Sequence, residues 1–258
     1  MIDLKNIFKL GKPSVGSWLQ IPSRESAYVL ANQGFDWLTI DAEHALFDLQ
    51  NIAAVIDVIH SKNCNALIRL PECDSIWIRR TLDAGADGII VPMVNSLEIA
   101  MKAVEYCKYP PLGKRGFGFS HANNYGGNFN DYVHKANDSI VLIVQIEHVD
   151  GVRNVESILS LEEIDGVIIG PYDLAGSMGF VGQPNHLEVK RACSEVLECC
   201  LKYNKVPGIH IVSTDVNQVA EVIKQGYKFI AYGIDTLFLV ESGHKLKKLK
   251  KDWKNFFD

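Results

Sequence analysis

The sequence predicts an α/β fold, a single (β/α)8 barrel, and three observations support that prediction. Eight short apolar runs typical of β-strands recur along the 258 residues. Between these runs, apolar residues return at the spacing of amphipathic helices, as a chain of βαβ units requires. Polar side chains follow nearly every run, and in a barrel the carboxyl ends of all strands meet at one face. An open, doubly wound sheet has the same alternation and is the alternative fold.

The predicted strands occupy residues 15–19, 37–41, 66–70, 88–92, 141–146, 166–169, 208–211 and 229–232. Helical spacing is clearest in residues 49–59, after the second strand, and in residues 189–200, before the seventh. We expect one domain, residues 1–258, because this length is usual for a single α/β barrel.

One connection, residues 109–127, is much longer than the others and holds prolines and glycines but few apolar residues. Such a segment has to lie outside the core. Two interpretations are open. The segment is either a lid or acceptor-binding loop over the active site, or a contact between subunits.

The composition favours small-molecule chemistry in the cytoplasm. The chain is 47% hydrophobic with a formal net charge of −5, so it lacks the basic footprint of a nucleic-acid-binding protein. No charged-then-apolar leader opens the sequence, and no apolar run approaches the roughly 18 residues of a membrane helix. We therefore expect a cytoplasmic protein that contacts neither nucleic acid nor membrane. The six cysteines form no C-x-x-C pair and are interpreted as reduced packing residues.

The last residues, 244–257, have the pattern of a basic amphipathic helix. Leu246, Leu249, Trp253 and Phe256 with Phe257 share its apolar face. Membrane binding is one interpretation. The preferred interpretation is a terminal barrel helix that docks on its own or a neighbouring subunit.

Two of the apolar runs end in a carboxylate, Glu147 after residues 141–146 and Asp173 after residues 166–169. No cysteine or histidine lies at matching spacing, so the pair forms an all-oxygen site. Such sites suit hard divalent cations, Mg²⁺ or Mn²⁺ first, with other divalent ions as alternatives. The structural alternative is two capped strand ends in a barrel without a metal. The pair predicts a metal-dependent enzyme.

Asp41, Glu43 and His44 leave the second strand together. A carboxylate beside an imidazole orients it for proton transfer near neutral pH. The alternative interpretation is a helix N-cap followed by a surface histidine.

Arg69 ends the third apolar run, and a guanidinium there needs an anionic partner, either a structural carboxylate or a substrate oxyanion. In residues 170–173, backbone N–H groups could face a bound carboxylate. No lysine is expected at a strand end, where a Schiff-base aldolase needs one. Carbonyl activation is therefore expected from a metal.

These residues together resemble the HpcH/HpaI aldolase family, the metal-dependent (class II) pyruvate aldolases that act on 4-hydroxy-2-oxoheptanedioate or 2-dehydro-3-deoxyglucarate. The resemblance covers nearly the whole chain, in segments 34–44, 82–86, 91–94, 109–111, 115–116, 145–147, 170–174 and 177–179. It implies a phosphoenolpyruvate/pyruvate-type barrel. The implied reaction is aldol cleavage or addition of 4-hydroxy-2-keto acids, giving pyruvate and an aldehyde through a metal-bound pyruvate enolate. A homo-oligomer, a hexamer or trimer of dimers with an exchanged C-terminal helix, is also implied.

The resemblance assigns roles to individual residues. It implies that Glu147 and Asp173 hold the metal, and that Arg69 binds the keto or enolate oxygen with Gln145 nearby. His44 with Asp41 is implied to handle protons. Gly170 and Tyr172 are expected at the substrate, in the turn that carries Asp173.

Three positions depart from the family pattern. His210 and Tyr232 occupy strand ends where smaller or apolar residues are expected, which predicts substrate contact and favours a hydroxylated aldehyde. An arginine is expected after residues 115–116, and His121 is a candidate to take over part of its role. Two alternative functions remain: related metal-enolate chemistry, such as oxaloacetate decarboxylation or condensation with another acceptor, and a non-catalytic keto-acid-binding barrel.

Overall fold

The structure, a computed structural model, describes residues 3–253, with side chains described as far as residue 250. Eight parallel strands close into a barrel in sequence order. They are β1 (Ser14–Leu19), β2 (Trp37–Asp41), β3 (Asn65–Arg69), β4 (Gly88–Val91), β5 (Val141–Ile146), β6 (Gly166–Ile169), β7 (Val206–Ile211) and β8 (Phe229–Ile234). The predicted (β/α)8 barrel is confirmed, and every predicted strand end is within two residues of the observed one. Pairing of β1 with β8 excludes the open sheet.

The helices surround the barrel and connect consecutive strands. They are α1 (Leu4–Lys9), α2 (Arg24–Ala31), α3 (Leu49–His60), α4 (Ser75–Asp83), α5 (Leu97–Cys107), α6 (Phe129–Ser139), α7 (Val149–Arg153), α8 (Val155–Leu159), α9 (Pro171–Ser177), α10 (Leu187–Lys202), α11 (Asn217–Gln225) and α12 (Asp235–Trp253). Side chains cap several N-termini: Ser23, Asp48, Asp74 and Ser96 accept from backbone N–H groups of the first turn. These side chains supply acceptors for N–H groups that have no partner within the first turn of a helix.

The core has two layers because each barrel strand is buried on both faces. The outer layer packs the strands against the helices. The inner layer fills the barrel with large side chains, including Trp37, which stacks on Phe229 with centroids 4.2 Å apart. Gly16 on β1 makes room for that ring, since a Cβ there would lie 2.0 Å from Trp37. The interior is therefore solid, and only the carboxyl ends of the strands are open for a site.

The long connection, residues 109–127, lies at the amino end of the barrel, opposite the carboxyl ends of the strands. Arg115 is buried there, and its Nη2 donates to Asp83 Oδ1 at the end of α4 at 2.7 Å. His121 Nε2 lies 3.1 Å from Asp57 Oδ1 on α3, and its Nδ1 lies 3.1 Å from the Ala84 carbonyl oxygen. The interpretation as a lid over its own barrel is wrong, because an α-to-β connection returns to the amino ends of the strands. The role suggested for His121 in its own active site is wrong for the same reason.

The final helix, α12, extends from β8 with Leu239, Val240, Leu246 and Leu249 exposed. Part of the predicted apolar face, Phe256 and Phe257, lies outside the described residues. Within residues 3–253, no helix combines the length and the apolar character needed to cross a membrane.

Candidate active site

The most constrained part of the site is the pair of Arg69 and Asp41, at the carboxyl ends of neighbouring strands. Strand pairing places the two residues opposite each other. Arg69 Nε donates to Asp41 Oδ1 at 3.0 Å, and Nη2 donates to Oδ2 at 2.7 Å. Burial acts to raise the pKa of the Asp41 carboxyl, but the hydrogen bonds and charge of Arg69 outweigh it and hold that pKa below its ordinary value. The bidentate geometry fixes the plane of the guanidinium.

Two aromatic rings lie beside this guanidinium. The Trp18 ring centroid is 4.4 Å from Arg69 Cζ, a distance at which cation–π attraction operates. The His210 ring lies 5.1 Å from that of Trp18. Burial lowers the pKa of His210 to about 4, so the imidazole is neutral near pH 7. Its Nε2 is 3.3 Å from the Gly233 carbonyl oxygen, which can only accept, so Nε2 carries the proton and Nδ1 is an acceptor.

Glu147 follows β5 and is buried. The backbone N–H of Met93 donates to its Oε1 at 2.9 Å, and the side-chain amide of Gln145 donates to its Oε2. Met93 has φ 52°, in the left-handed region that non-glycine residues occupy only when their surroundings require it. Burial raises the pKa of Glu147, and the negative charge of Asp173 acts in the same direction. A nearby cation would stabilise the ionised form of such a carboxyl.

The turn after β6 brings Gly170, Tyr172 and Asp173 to the same face. A Cβ on Gly170 would lie 3.1 Å from both Cβ and Oε2 of Glu147, so any larger residue here would press on the Glu147 side chain. Asp173 lies in the first turn of α9 and is exposed. Tyr172 is 50% exposed at the rim.

One cavity of about 270 Å³ brings most of these groups together at the barrel mouth. Its lining includes Trp18, Gln20, His44, Arg69, Gln145, Gly170, Tyr172, Asp173 and His210. A cleft with a few converging polar and charged groups is typical of a small-molecule site.

The expected contact between Asp41 and the imidazole of His44 is not present. Asp41 Oδ1 accepts from the backbone N–H of His44 at 3.2 Å, which is a turn contact rather than a contact with the ring. The ring is exposed, and its Nε2 lies 3.9 Å from Glu43 Oε2. The pairing predicted from sequence is therefore corrected: Arg69 engages both oxygens of Asp41, and Glu43 is the carboxylate beside the imidazole.

Tyr232 does not line the cavity, contrary to the prediction from its strand-end position. Its hydroxyl donates to the Thr214 carbonyl oxygen at 2.6 Å. The pairing of β1 with β8 matches Gly16 to Ala231 but Trp18 to Ile234, so β8 carries one extra residue there. Gly233 has φ 68° at this bulge. Regular alternation already places Tyr232 on the outer face with Ile230, and the bulge then turns Ile234 toward the cavity.

The groups around Glu147 fit a divalent cation. Glu147 and Asp173 supply carboxylate oxygens, the ligands that Mg²⁺ and Mn²⁺ prefer. Gln145 Oε1 is buried without a hydrogen-bond partner, so one more oxygen is available in this region. Residues 3–253 contain no cluster of three or more histidine, cysteine, aspartate or glutamate side chains able to hold a metal ion. Two carboxylates are the protein ligands that remain, and water or substrate oxygens would complete the coordination shell.

The structure adds Trp18 and Gln20, which the sequence did not single out for the site, and it gives a partner to Glu43, which the sequence placed beside His44. Trp18 lies under the guanidinium, and Gln20 Nε2 donates to Asp41 Oδ2 at 3.2 Å. Glu43 Oε2 lies 3.1 Å from Arg69 Nη1. For Trp18 a signal was present, because it is a large aromatic residue next to the end of a predicted strand, where side chains face the mouth.

Comparison with known proteins places this site in a family context. The chain is 39% identical to 4-hydroxy-2-oxovalerate aldolase of Rhodococcus jostii (strain RHA1), over 93% of this chain and 92% of the relative. It is 37% identical to 4-hydroxy-2-oxo-heptane-1,7-dioate aldolase of Shigella flexneri, over 95% and 91%.

Two solved structures extend the comparison. A HpcH/HpaI aldolase/citrate lyase family protein from Burkholderia cenocepacia J2315 superimposes with a TM-score of 0.90 at 30% identity, covering 96% of this chain and 98% of that one. The citrate synthase SbnG superimposes with a TM-score of 0.87 at 25% identity, covering 100% of both chains.

The barrel and the acidic site at its carboxyl end define a (β/α)8-barrel enzyme that acts on a small molecule. The family model of HpcH/HpaI aldolase/citrate lyase matches residues 14–242. The chain belongs to the HpcH/HpaI aldolase/citrate lyase family, and it is a carbon–carbon lyase.

Proposed function

We propose that the protein cleaves 4-hydroxy-2-keto acids into pyruvate and an aldehyde, and catalyses the reverse aldol addition. The observation that carries this proposal is the convergence of the fixed Arg69 guanidinium, the Asp173 carboxylate and the Gln145 amide on one cavity, with Glu147 hydrogen-bonded to that amide. The relatives named as aldolases of 4-hydroxy-2-oxo acids support it.

Glu147 and Asp173 would hold a divalent cation, which we propose is Mg²⁺ or Mn²⁺. When bound, the cation supplies Lewis acidity toward the keto oxygen of the substrate. Among the described residues, no lysine lines the cavity, which argues against an imine route.

Arg69 would bind the oxygen on C2, where negative charge develops as the C3–C4 bond breaks. Its guanidinium is already fixed by Asp41, so little reorganisation is needed when that charge appears. Gln145 donates a hydrogen bond to Glu147 and would orient the keto-acid end of the substrate. His44 would take the proton of the C4 hydroxyl, and C3 gains a proton as pyruvate forms.

The acceptor side of the cavity would favour an aldehyde that carries a hydroxyl group. His210 is neutral, with Nε2–H directed to Gly233, so Nδ1 is free to accept a hydrogen bond. Tyr172 at the rim adds a phenol. An aldehyde without a hydroxyl would leave the acceptor nitrogen unpaired, which lowers specificity for it.

The test uses metal-depleted protein, a 4-hydroxy-2-keto acid, and Mg²⁺ or Mn²⁺ added back. We expect pyruvate release only with the cation, and solvent deuterium in the pyruvate methyl group. Glu147→Gln and Asp173→Asn should weaken cation binding, whereas Glu72→Gln, at an exposed position beyond β3, should not. Full activity after exhaustive chelation would contradict the proposal.

A second candidate is carbon–carbon bond formation with an acceptor other than an aldehyde. The similarity to the citrate synthase SbnG favours it, since that protein has the same fold over its full length. Mass analysis of products from pyruvate or oxaloacetate with an aldehyde or a keto acid separates the two functions.

We also propose that residues 1–258 form one domain of a cytoplasmic homo-oligomer, a hexamer or trimer of dimers. The exposed apolar residues of α12 support this assembly because they would be covered by a neighbouring subunit. Light scattering of the full chain and of a Leu246→Glu, Leu249→Glu variant tests it, with a smaller particle expected for the variant.

A further inference from the structure

The mouth of the barrel contains a carboxylate to which the proposed reaction assigns no role, that of Glu43. It follows β2 and is largely buried, with 16% of its side chain exposed. Its Oε2 is inaccessible to solvent and has no aligned hydrogen-bond partner. Burying a carboxylate oxygen without a well-aligned hydrogen bond costs folding free energy, so its presence at the mouth calls for an explanation such as a role in the reaction.

Glu43 Oε2 lies between Arg69 and His44, the two side chains to which the proposed reaction assigns the enolate charge and the proton. Arg69 Nη1 lies 3.1 Å away on one side, and His44 Nε2 lies 3.9 Å away on the other. Among side chains of residues 3–250, Glu43 is the carboxylate within 4 Å of this imidazole. Asp41 is not available to orient the imidazole, because both of its carboxylate oxygens accept hydrogen bonds from Arg69 and one also accepts from Gln20.

We propose that Glu43 is the positioning residue of His44, anchored by Arg69 and directed at the imidazole. This inference rests on the proposed aldol reaction and assigns the group that orients its base. At 3.9 Å the contact is electrostatic and not a hydrogen bond, and the negative charge on Oε2 would favour the proton on Nε2, the nearer ring nitrogen. That tautomer would leave the Nδ1 lone pair to accept a proton.

The proton balance of the step is simple. The C4 hydroxyl gives its proton to His44 Nδ1 as the C4 carbonyl forms and the C3–C4 bond breaks. The electron pair of that bond moves into the enolate, whose C2 oxygen faces Arg69. The proton is later returned to C3, so no oxidant or reductant is needed. Glu43 does not take up this proton, and its ionised form stabilises the transient imidazolium.

Charged groups face Glu43 from every side of the mouth. Arg69 supplies the positive charge, and Asp41, Glu147 and Asp173 supply negative charge. Burial and these three carboxylates raise the pKa of Glu43 to about 7, although the charge of Arg69 opposes them. Cation binding at Glu147 and Asp173 would favour the ionised, orienting form of Glu43.

A double-mutant cycle tests this role. The full chain with Mg²⁺ is compared as wild type, Glu43→Gln, His44→Ala and the double variant, with kcat and KM measured for cleavage of one keto acid. We expect Glu43→Gln to lower kcat about 10- to 100-fold with less than about threefold change in KM. This loss is smaller than the roughly 100- to 10,000-fold that a general base itself contributes, because the variant retains His44. The double variant should be no more than about twofold slower than His44→Ala alone.

Two further variants control for structure. Glu72→Gln removes an exposed carboxylate from the same end of the barrel and should leave kcat unchanged. Glu43→Asp retains the charge and should recover part of the lost kcat, which a purely structural role would not predict. Thermal melting checks that each variant is folded.

The outcomes distinguish this inference from the proposed function. A wild type that never releases pyruvate contradicts the proposed function. An active wild type in which the losses from Glu43→Gln and His44→Ala multiply in the double variant overturns the role of Glu43, as does an unchanged kcat in Glu43→Gln.

Discussion

Glu43 also determines how the stability of the metal-free protein should depend on pH. Its pKa is about 7 in the folded protein, against 4.5 for an ordinary glutamate. A folded-state pKa above the unfolded value means that the folded state binds the proton more tightly. The stabilisation is therefore fully present below about pH 4.5 and is lost as the pH rises through about 7. This difference in pKa corresponds to an upper limit between about 3 and 4 kcal/mol at 1.36 kcal/mol per pKa unit.

Urea denaturation of wild type and Glu43→Gln in a chelating buffer measures this effect. The glutamine variant has no group to titrate at this position, so the difference in unfolding free energy between the two proteins isolates Glu43. We expect wild type to lose about 2 to 3 kcal/mol relative to the variant between pH 5 and pH 8. Saturating Mg²⁺ should shrink the difference, because Glu147 and Asp173 contribute to the shift. Parallel pH profiles of the two proteins in chelator would refute the reasoning.

Three other predictions concern the same site. Arg69→Lys should lower kcat at least about 10-fold with the fold retained, because an ammonium cannot form the two parallel hydrogen bonds that Arg69 makes to Asp41. Steady-state kinetics measures kcat, and circular dichroism checks the fold. Gly170→Ala should weaken Mg²⁺ binding about 10-fold in calorimetry, since the new Cβ presses on Glu147 at 3.1 Å. Pyruvate should bind detectably in calorimetry only after a divalent cation is present, and equal affinity in chelator would contradict the acidic character assigned to the mouth.

The barrel could be predicted from the sequence because its signal is repeated eight times. Each strand is buried on both faces and therefore appears as a short apolar run. Polar residues after those runs favoured a closed barrel, but the pairing of β1 with β8 was needed to exclude the open sheet. Arg69 and Glu147 could be predicted at the mouth for the same reason, since a charged residue at the end of an apolar strand has to face the mouth or a partner. Asp173 comes later, in the first turn of the helix after β6, and its metal-binding role remains a prediction.

The misplaced residues depend on geometry that local sequence does not encode. Tyr232 was expected at the substrate because it lies at the end of the predicted strand, but Phe229 and Ala231 face the barrel interior, so alternation along β8 turns Tyr232 outward. The partner of His44 was taken to be Asp41, the first acid of the strand end. Which carboxylate reaches the ring depends on Arg69, which comes from the neighbouring strand and engages Asp41 first.

The charge of the site explains why a carboxylate-rich mouth can serve an anionic substrate. Asp41, Glu43, Glu147 and Asp173 share the mouth with Arg69, and burial together with their mutual repulsion raises the pKa of Glu43 and of Glu147. Without a cation the mouth therefore disfavours further negative charge, including that of a 2-keto acid. A divalent cation at Glu147 and Asp173 offsets two of these charges where the keto acid has to bind. Asp41 has a different role, because it holds the guanidinium in place and lets Arg69 meet the charge on C2 without first having to reorient. The mouth thus attracts the substrate only when Glu147 and Asp173 hold the cation, and the fixed guanidinium stabilises the enolate that forms from the substrate.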